Sequence, residues 1–358
     1  MRFALSEDQI LLQDSITKAL AQLSPLERVR RFADANEATA PDIWAGLSEL
    51  GLPGLIVPEE YGGLGLGLIE AALAAEALGR VVAPTPFLGT AVLAPLALIL
   101  AGSAERKTHW LPKLAAGEAI AGVAMSEPIA GARDGAGVSA ADGRLDGRAL
   151  FALDASGADL LIVADRTGGL HLAGSCEAAE PMPGIDATRR LTELTFKATP
   201  AEALASNQAL DRLRDAAWIL LAADTLGAAQ AMLDKAVGYA KERKQFGRTI
   251  GSFQAVKHLC AEMAAELEPA RALVWYAAYA FDHAPDEAPL MAAHAKAHLS
   301  EIGRFVARTA TEIHGGIGMT DLLGLHYWFK RIGQNRQLLG GPERVREIAA
   351  RMQGLTPA

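Results

Sequence analysis

Cysteine, positive charge and long apolar runs are all scarce in this chain. The two cysteines, Cys176 and Cys260, are too few for a disulfide framework and lack metal-ligand spacing, which favours a reducing, cytoplasmic location. A net charge of −8 offers no polybasic surface for nucleic acid. The most apolar run, residues 88–101, is shorter than the roughly 20 residues that cross a bilayer and contains Pro95, so it predicts a buried helix. Residues 1–8 become acidic before an apolar stretch forms, so no export signal is predicted.

The hydrophobic residues, 51% of the chain, fall into three blocks of different periodicity. Residues 1–120 show mainly helical spacing, whereas residues 121–203 show short apolar runs between Gly, Asp and Pro clusters. Residues 204–358 return to helical spacing, in long segments at 210–243, 253–282 and 288–314. The predicted fold is α+β, with an N-terminal helical lobe, a small β domain and a C-terminal helical bundle. This order argues against a doubly wound α/β fold, in which helices and strands alternate.

The most informative segment is a basic helix end at residues 239–254. A predicted helix ends near Arg243, Gly247 interrupts it, and Gln254 follows one short loop later. An arginine in this position could hold a pyrophosphate by charge-assisted hydrogen bonds. Basic side chains near a helix C-terminus are also ordinary partners of the helix dipole. The residues alone leave both interpretations open.

This segment closely resembles the acyl-CoA dehydrogenase signature Arg-x-x-Phe-Gly followed by Phe-Gln. The resemblance implies that Arg243, Phe246 and Gln254 contact the adenosine diphosphate end of FAD bound to a neighbouring subunit. Three further segments are similar to motifs of the same family, in the family's order. They are residues 58–65 in the N-terminal lobe, residues 125–134 in the β domain and residues 312–318 near the C-terminus. The chain is therefore identified as a member of this family, along nearly its whole length.

The resemblance also implies a cofactor, a reaction and further site residues. It places Ser126 and Gly131 beside flavin and thioester, and Gly315 and Gly316 in a turn against FAD. In this family a carboxylate base takes the α-proton of an acyl-CoA thioester while the β-hydrogen leaves as hydride to the flavin. The resemblance further implies that the electrons pass to an electron-transfer flavoprotein.

Both positions at which the family places its catalytic glutamate are non-acidic here. Gly340 stands at the C-terminal position, and Ala217 stands at the alternative one, 26 residues before Arg243. The nearest carboxylate on the helical face of Ala217 is Asp224, because residues seven apart nearly eclipse each other. Asp224 is thus a weak candidate base, and a buried or capping role is the competing interpretation.

The residues that would hold the chain's own flavin ring are also depleted. The family's tryptophan-x-threonine strand aligns with Phe151-Ala152-Leu153, which removes the hydroxyl at its third position. Ala132 replaces a serine that touches phosphate, whereas Ser126 keeps its hydroxyl. The residues that survive are those offered to a neighbour's FAD.

This asymmetry predicts a hetero-oligomer in which a sister acyl-CoA dehydrogenase subunit carries the glutamate and the flavin ring. The resemblance implies a paired enzyme of the kind found in bacteria that degrade bulky steroid or side-chain acyl-CoA esters. Two alternatives stay open: a self-sufficient homo-oligomeric flavoenzyme that uses Asp224 or has changed to oxidase or monooxygenase chemistry, and a non-catalytic structural subunit. His294 and His298 lie one turn apart, but no third ligand is evident, so no metal site is predicted.

Overall fold

The N-terminal part of the chain is helical. The computed structural model describes residues 4–205 and 208–355; residues 1–3, part of the segment predicted to lack an export signal, lie outside the described residues. The N-terminal helices are α1 (Glu7–Leu23), α2 (Leu26–Asp34), α3 (Pro41–Ser48), α4 (Leu68–Arg80), α5 (Ala94–Ala101) and α6 (Ala104–Ala115). Helix α1 starts with a capping box between Ser6 and Gln9. A π-helical segment, Phe87–Leu93, leads into α5, and this apolar stretch is mostly buried, as predicted.

A closed ring of strands follows the helical part. The strands are β1 (Ala121–Ala124), β2 (Gly137–Ala141), β3 (Arg144–Leu153), β4 (Leu160–Ala164), β5 (Leu170–Ala173), β6 (Ala178–Pro181) and β7 (Leu191–Ala203), with the short helix α7 (Ser126–Ala130) after β1. Strand β7 pairs with both β5 and β3, which closes β3, β1, β4, β5 and β7 into a ring with its own apolar core. Only β1 and β4 pair in parallel among the described strands.

Long helices form the C-terminal part. They are α8 (Ala209–Glu242), α9 (Gln254–His283), α10 (Ala288–His314), α11 (Leu325–Gln337) and α12 (Pro342–Met352), with a small hairpin of β8 (Lys244–Gln245) and β9 (Arg248–Thr249) between α8 and α9. By length and composition alone α8 could cross a membrane, yet 94% of its apolar window is buried within the protein. Helices flanking a central β region confirm the predicted α+β fold.

Two glycines let α4 and α8 approach closely. A Cβ on Gly79 would lie 2.1 Å from the Asp224 carbonyl oxygen, and one on Gly227 would lie 1.8 Å from the Glu76 carbonyl oxygen. Any side chain at either position would therefore push the helices apart. Because the two backbones touch at Asp224, the crossing positions this residue of α8 next to α4.

Candidate functional site

A crevice of about 200 Å³ lies where the β region meets the C-terminal helices. Ser126 and Gly131 line one wall, together with Phe151 from β3, and Leu339 lines the opposite wall. Ser126 is 5% exposed. Gly131 has a φ of +91°, a backbone conformation that glycine adopts without strain. The structure thus brings together the two residues that the family resemblance places beside flavin.

Glu127 is the single carboxylate among the described residues that line this crevice. Its Oε1 accepts the Leu150 N–H at 2.6 Å, whereas Oε2 is screened from solvent and finds no partner within the described part of the chain. Burial raises the pKa of Glu127 above its ordinary value. Glu127 is not among the residues predicted for the site, although its place between Ser126 and Pro128 in a family-like motif was the available signal.

Neither expected base position presents a carboxylate to the crevice. Ala217 is 1% exposed in the middle of the helical core. Gly340 follows α11 with a φ of +105°, and the preceding Leu339 also has a positive φ of +56°. The Leu339 carbonyl accepts the Trp218 indole N–H at 2.8 Å, which holds this turn against α8.

Asp224 lies apart from the crevice, in a buried charged cluster. Its Oδ2 accepts from Arg189 Nη2 at 3.0 Å and from Arg331 Nη1 at 3.1 Å. Its Oδ1 accepts from Asn335 Nδ2 at 2.6 Å. Asp224 is 3% exposed, so both oxygens are committed to donors in a solvent-free setting. A carboxylate held in this way stabilises buried arginines and has no oxygen directed at a substrate.

Arg331 connects the cluster to the β region and to the segment after α4. Its Nε donates to Asp186 at 2.6 Å, and its Nη2 donates to the Thr188 carbonyl at 2.9 Å, both in the segment before β7. Nη2 also lies 3.4 Å from the Ala83 carbonyl oxygen, in the segment after α4. Burial lowers the pKa of Arg331, but the attraction of Asp186 and Asp224 more than offsets it, so the net shift is upward. The cluster therefore joins the N-terminal helices, the β region and α8 to α11.

The replaced flavin-side positions lack polar groups in the structure as well. Leu153 is 1% exposed and packs into the main hydrophobic core. Phe151 has a φ of +57°, and its backbone N–H donates to Met182 Sδ at 3.2 Å. The position at which the family carries a hydroxyl is therefore filled by a buried leucine, which offers no hydrogen bond to the ring of FAD.

The other predicted cofactor residues share one exposed end of the helical bundle, here called the nucleotide patch. Its members come from the end of α8, the β8–β9 hairpin, the start of α9 and the turn after α10: Arg243, Phe246, Gln254, Gly315 and Gly316. Tyr239 of α8 stacks on His314 of α10 with ring centroids 4.7 Å apart, which brings these helix ends together. Phe246 is 91% exposed. The patch thus presents an aromatic ring and an arginine to the outside.

The electrostatics of the nucleotide patch suit an anion. Lys244 and Arg248 flank Phe246 on the hairpin, and the Arg248 guanidinium lies 4.0 Å from the Phe253 ring centroid. Helix α9 has 30 residues and starts at Gln254, with no side-chain cap bond from Phe253. Free backbone N–H groups at a helix N-terminus and nearby guanidinium groups are the usual partners of phosphate. These residues fit the pyrophosphate end of FAD.

The two histidines at helical spacing, His294 and His298, differ in exposure. His294 is half-buried and His298 is exposed on α10. Within residues 4–205 and 208–355, no group of three or more His, Cys, Asp or Glu side chains is placed to hold a metal ion.

Both helical parts match one known family. Residues 6–118 match the acyl-CoA dehydrogenase N-terminal domain, and residues 208–353 match the acyl-CoA dehydrogenase C-terminal domain. The chain belongs to the acyl-CoA dehydrogenase family, which confirms the identification from its motifs. Among the similar proteins is acyl-CoA dehydrogenase IpdE2 of Mycolicibacterium smegmatis, 34% identical over 348 residues that cover 97% of this chain and 99% of that protein.

Two solved structures are also similar to this chain. The ChsE4-ChsE5 complex from Mycobacterium tuberculosis contains a chain with a TM-score of 0.91 and 25% identity, with 100% of both chains covered. The Tcur3481-Tcur3483 steroid ACAD G363A variant contains a chain with a TM-score of 0.88 and 30% identity, with 98% of both chains covered. The likeness extends over the whole fold.

Proposed function

We propose that this chain is one subunit of a heteromeric, FAD-dependent acyl-CoA dehydrogenase and that a sister subunit supplies the catalytic glutamate. The main support is the contrast between the absent catalytic base and the exposed nucleotide patch. The two base positions hold Gly340 and Ala217, while the nucleotide patch is exposed and complete. We infer that a chain without its own base, but with the surface that would contact a neighbour's FAD, acts on the FAD bound by that neighbour.

The nucleotide patch would hold the adenosine diphosphate end of FAD bound mainly by the sister subunit. Arg243 would pair with the pyrophosphate, Phe246 would cover apolar surface of the nucleotide, and Gln254 would contribute from the start of α9. Gly315 and Gly316 have no heavy atom within 4 Å of a hypothetical Cβ, so that turn is open to a close-lying cofactor. FAD, when bound, supplies the hydride acceptor of the reaction.

The chain's own crevice supports a lesser role. Ser126 and Gly131 remain in its wall, but the buried Leu153 brings no hydroxyl to a flavin ring. Asp224 is not the base in this proposal, because both of its carboxylate oxygens already accept from Arg189, Arg331 and Asn335. General-base catalysis needs an oxygen within hydrogen-bond reach of the substrate proton.

The reaction proposed for the assembled enzyme is α,β-desaturation of an acyl-CoA thioester, with electrons passed to an electron-transfer flavoprotein. We propose a bulky, steroid-derived acyl group and a cytoplasmic location. Two observations support this choice: one similar structure is described as a steroid ACAD, and another as a complex of two differently named chains.

Co-expression with a glutamate-bearing sister chain tests the proposal. We expect one FAD per pair of chains and dehydrogenation of an acyl-CoA only by the pair. Arg243→Ala should weaken FAD affinity by about 30-fold or more, because a partly desolvated charge pair is lost. Lys241→Ala, at an exposed position two residues earlier on α8, is the matched control and should change it little.

Two results would contradict the proposal. One is an active homo-oligomer of this chain with one FAD per chain. The other is FAD retention in the paired enzyme that Arg243→Ala leaves unchanged, since Arg243 would then be only a partner of the helix end.

A further inference from the structure

Two exposed arginines lie beside the crevice between the β region and the C-terminal helices. Arg133 lines the crevice, and its guanidinium lies 5.7 Å from the Phe151 ring centroid. Arg344 comes from α12, and its Nε donates to the Ile129 carbonyl at 2.8 Å. We call Arg133 and Arg344 the rim arginines. Both residues are exposed to solvent, so a dissolved ligand can reach their guanidinium groups.

Gly131 lies between Arg344 and the interior of the crevice. A Cβ on Gly131 would lie 3.8 Å from Arg344 Nη1, which is the single heavy atom within 4 Å of that point among the described residues. Gly131 itself lines the crevice. On the other side, a Cβ on Gly340 would lie 3.8 Å from Arg344 Cδ. The guanidinium of Arg344 is therefore beside the crevice wall, with no side chain at Gly131 to separate them.

The rim arginines form no ion pair within residues 4–205 and 208–355. The acidic residues of α12, Glu343 and Glu347, are committed elsewhere. Glu343 binds Arg336 at 2.9 Å, and Glu347 binds Arg351. Arg344 uses only its Nε for hydrogen bonds in these ranges, so its two Nη groups are available to a ligand.

The crevice beside the rim arginines has mainly apolar walls. Leu150, Phe151, Met182, Leu338 and Leu339 all contribute to the space of about 200 Å³. Walls of this kind favour a hydrophobic body, and a few polar groups then fix its orientation. Guanidinium groups are well suited to a carboxylate, which they can bind through two parallel hydrogen bonds. A molecule with an apolar body and one carboxylate matches both features.

Two acidic residues disfavour a ligand with several negative charges. Glu127 lines the crevice, and Asp134 follows Arg133 directly in the chain and is exposed. Each carboxylate, when ionised, would repel additional charges on a ligand. Molecules with several phosphates, such as coenzyme A, therefore fit the rim arginines less well than a monocarboxylate does.

We propose that the crevice of this chain binds a compact apolar monocarboxylate, with its carboxylate held by the rim arginines and its apolar body inside the crevice. The bound molecule is retained rather than desaturated, because the base positions of this chain hold Gly340 and Ala217. This inference rests on the proposed function in one respect, since it needs a crevice that is free of a flavin ring.

Titration calorimetry on the full-length chain, with octanoate as the probe, tests the site. We expect saturable binding with a dissociation constant below about 1 mM. Octanol and acetate should bind much more weakly, because octanol lacks the charge and acetate lacks the apolar body. Arg133→Gln and Arg344→Gln should each weaken octanoate binding by about 5-fold, as expected for the loss of a solvent-exposed charge pair.

Arg346→Gln is the matched control on α12. It makes the same change of charge, but Arg346 is directed at Glu301, 3.5 Å away on α10, and the substitution should leave octanoate binding unchanged. Arg344 also holds the Ile129 carbonyl, so Arg344→Gln could impair folding. Arg133→Gln removes no side-chain hydrogen bond found in the described part of the chain, so it decides the matter in that case.

NMR of methyl-labelled methionine locates the apolar body. Octanoate should shift the methyl resonance of Met182, which lines the crevice and is assigned with Met182→Leu. Met319, 81% exposed on the turn after α10, is the internal control, and its resonance should not move.

The inference is wrong if octanoate does not bind, if both rim variants bind it as tightly as the wild type, or if the Met182 resonance does not shift. Displacement of octanoate by free coenzyme A would also overturn it, because the rim arginines would then bind phosphate groups. Flavin absorbance of the same samples separates the two proposals. One FAD per chain would contradict both of them, whereas a flavin-free chain that does not bind octanoate would contradict only this one.

Discussion

Replacing Asp224 by asparagine separates a structural role from a catalytic one. The change removes one negative charge from between Arg189 and Arg331, whose side chains are 7% and 2% exposed. Removing one partner of a buried ion pair typically destabilises a protein by about 3–5 kcal/mol. With an unfolding entropy of about 2.1 cal/mol/K per residue over 358 residues, this corresponds to a fall in Tm of about 4–7 °C. Asparagine is nearly isosteric with aspartate, so little of this change would come from packing.

Differential scanning calorimetry and turnover of the paired enzyme distinguish the two roles. We expect Asp224→Asn to lower Tm and to leave dehydrogenation per assembled enzyme within a few-fold of the wild type. Asp234→Asn is the matched control on the same helix, because its ion pair with Arg80 is about half exposed and such pairs contribute roughly 0–1 kcal/mol. If Asp224 were the base, turnover would fall by about 10² to 10⁴ at unchanged FAD content. That result would refute the partner-base proposal.

The chain purified alone should hold far less than one FAD per chain, because Leu153 brings no hydroxyl to the crevice; flavin absorbance measures this, and a yellow one-to-one homo-oligomer would disprove it. Gly340→Glu should not make the isolated chain a dehydrogenase, because a side chain at a φ of +105° is strained by about 1–3 kcal/mol. An acyl-CoA dehydrogenation assay checks this, and measurable turnover would count against it. Burial and the repulsion of Arg336 lower the pKa of Lys296 to about 7 from 10.5, so between these values the unfolded chain binds more protons. Urea unfolding should therefore show the stability of the wild type, relative to Lys296→Met, rising with pH across that interval, and a constant difference would rule this out.

Helix periodicity was sufficient to place the long C-terminal helices within one or two residues. The segments predicted at 210–243, 253–282 and 288–314 correspond to α8, α9 and α10. Short-range patterns contain no information on which strands pair across the chain. The pairing of β7 with β3, which closes the ring of strands, joins residues about 50 positions apart and follows from packing of the whole β region.

In the candidate site, too, the grouping of residues close in sequence could be predicted, whereas contacts between distant residues could not. The grouping of Arg243, Phe246 and Gln254 could be predicted, because they lie in one short segment with a recognisable motif; their contact with a nucleotide stays a prediction. The surroundings of Asp224 could not, because its partners Arg189 and Arg331 are 35 and 107 positions away. Helical spacing correctly placed Asp224 on α8, but spacing alone does not distinguish a free carboxylate from a paired one.

The charged cluster and the nucleotide patch lie in different parts of the chain and serve different purposes in the proposed enzyme. Arg331 and Arg189 tie the β region to α8 and α11 through buried bonds among the chain's own side chains. At the other end of the bundle, Phe246 is 91% exposed. In the proposed assembly, FAD is enclosed when the sister subunit brings it against the nucleotide patch. The cluster would hold the three parts of this chain together, and the nucleotide patch would complete the cofactor site of the pair.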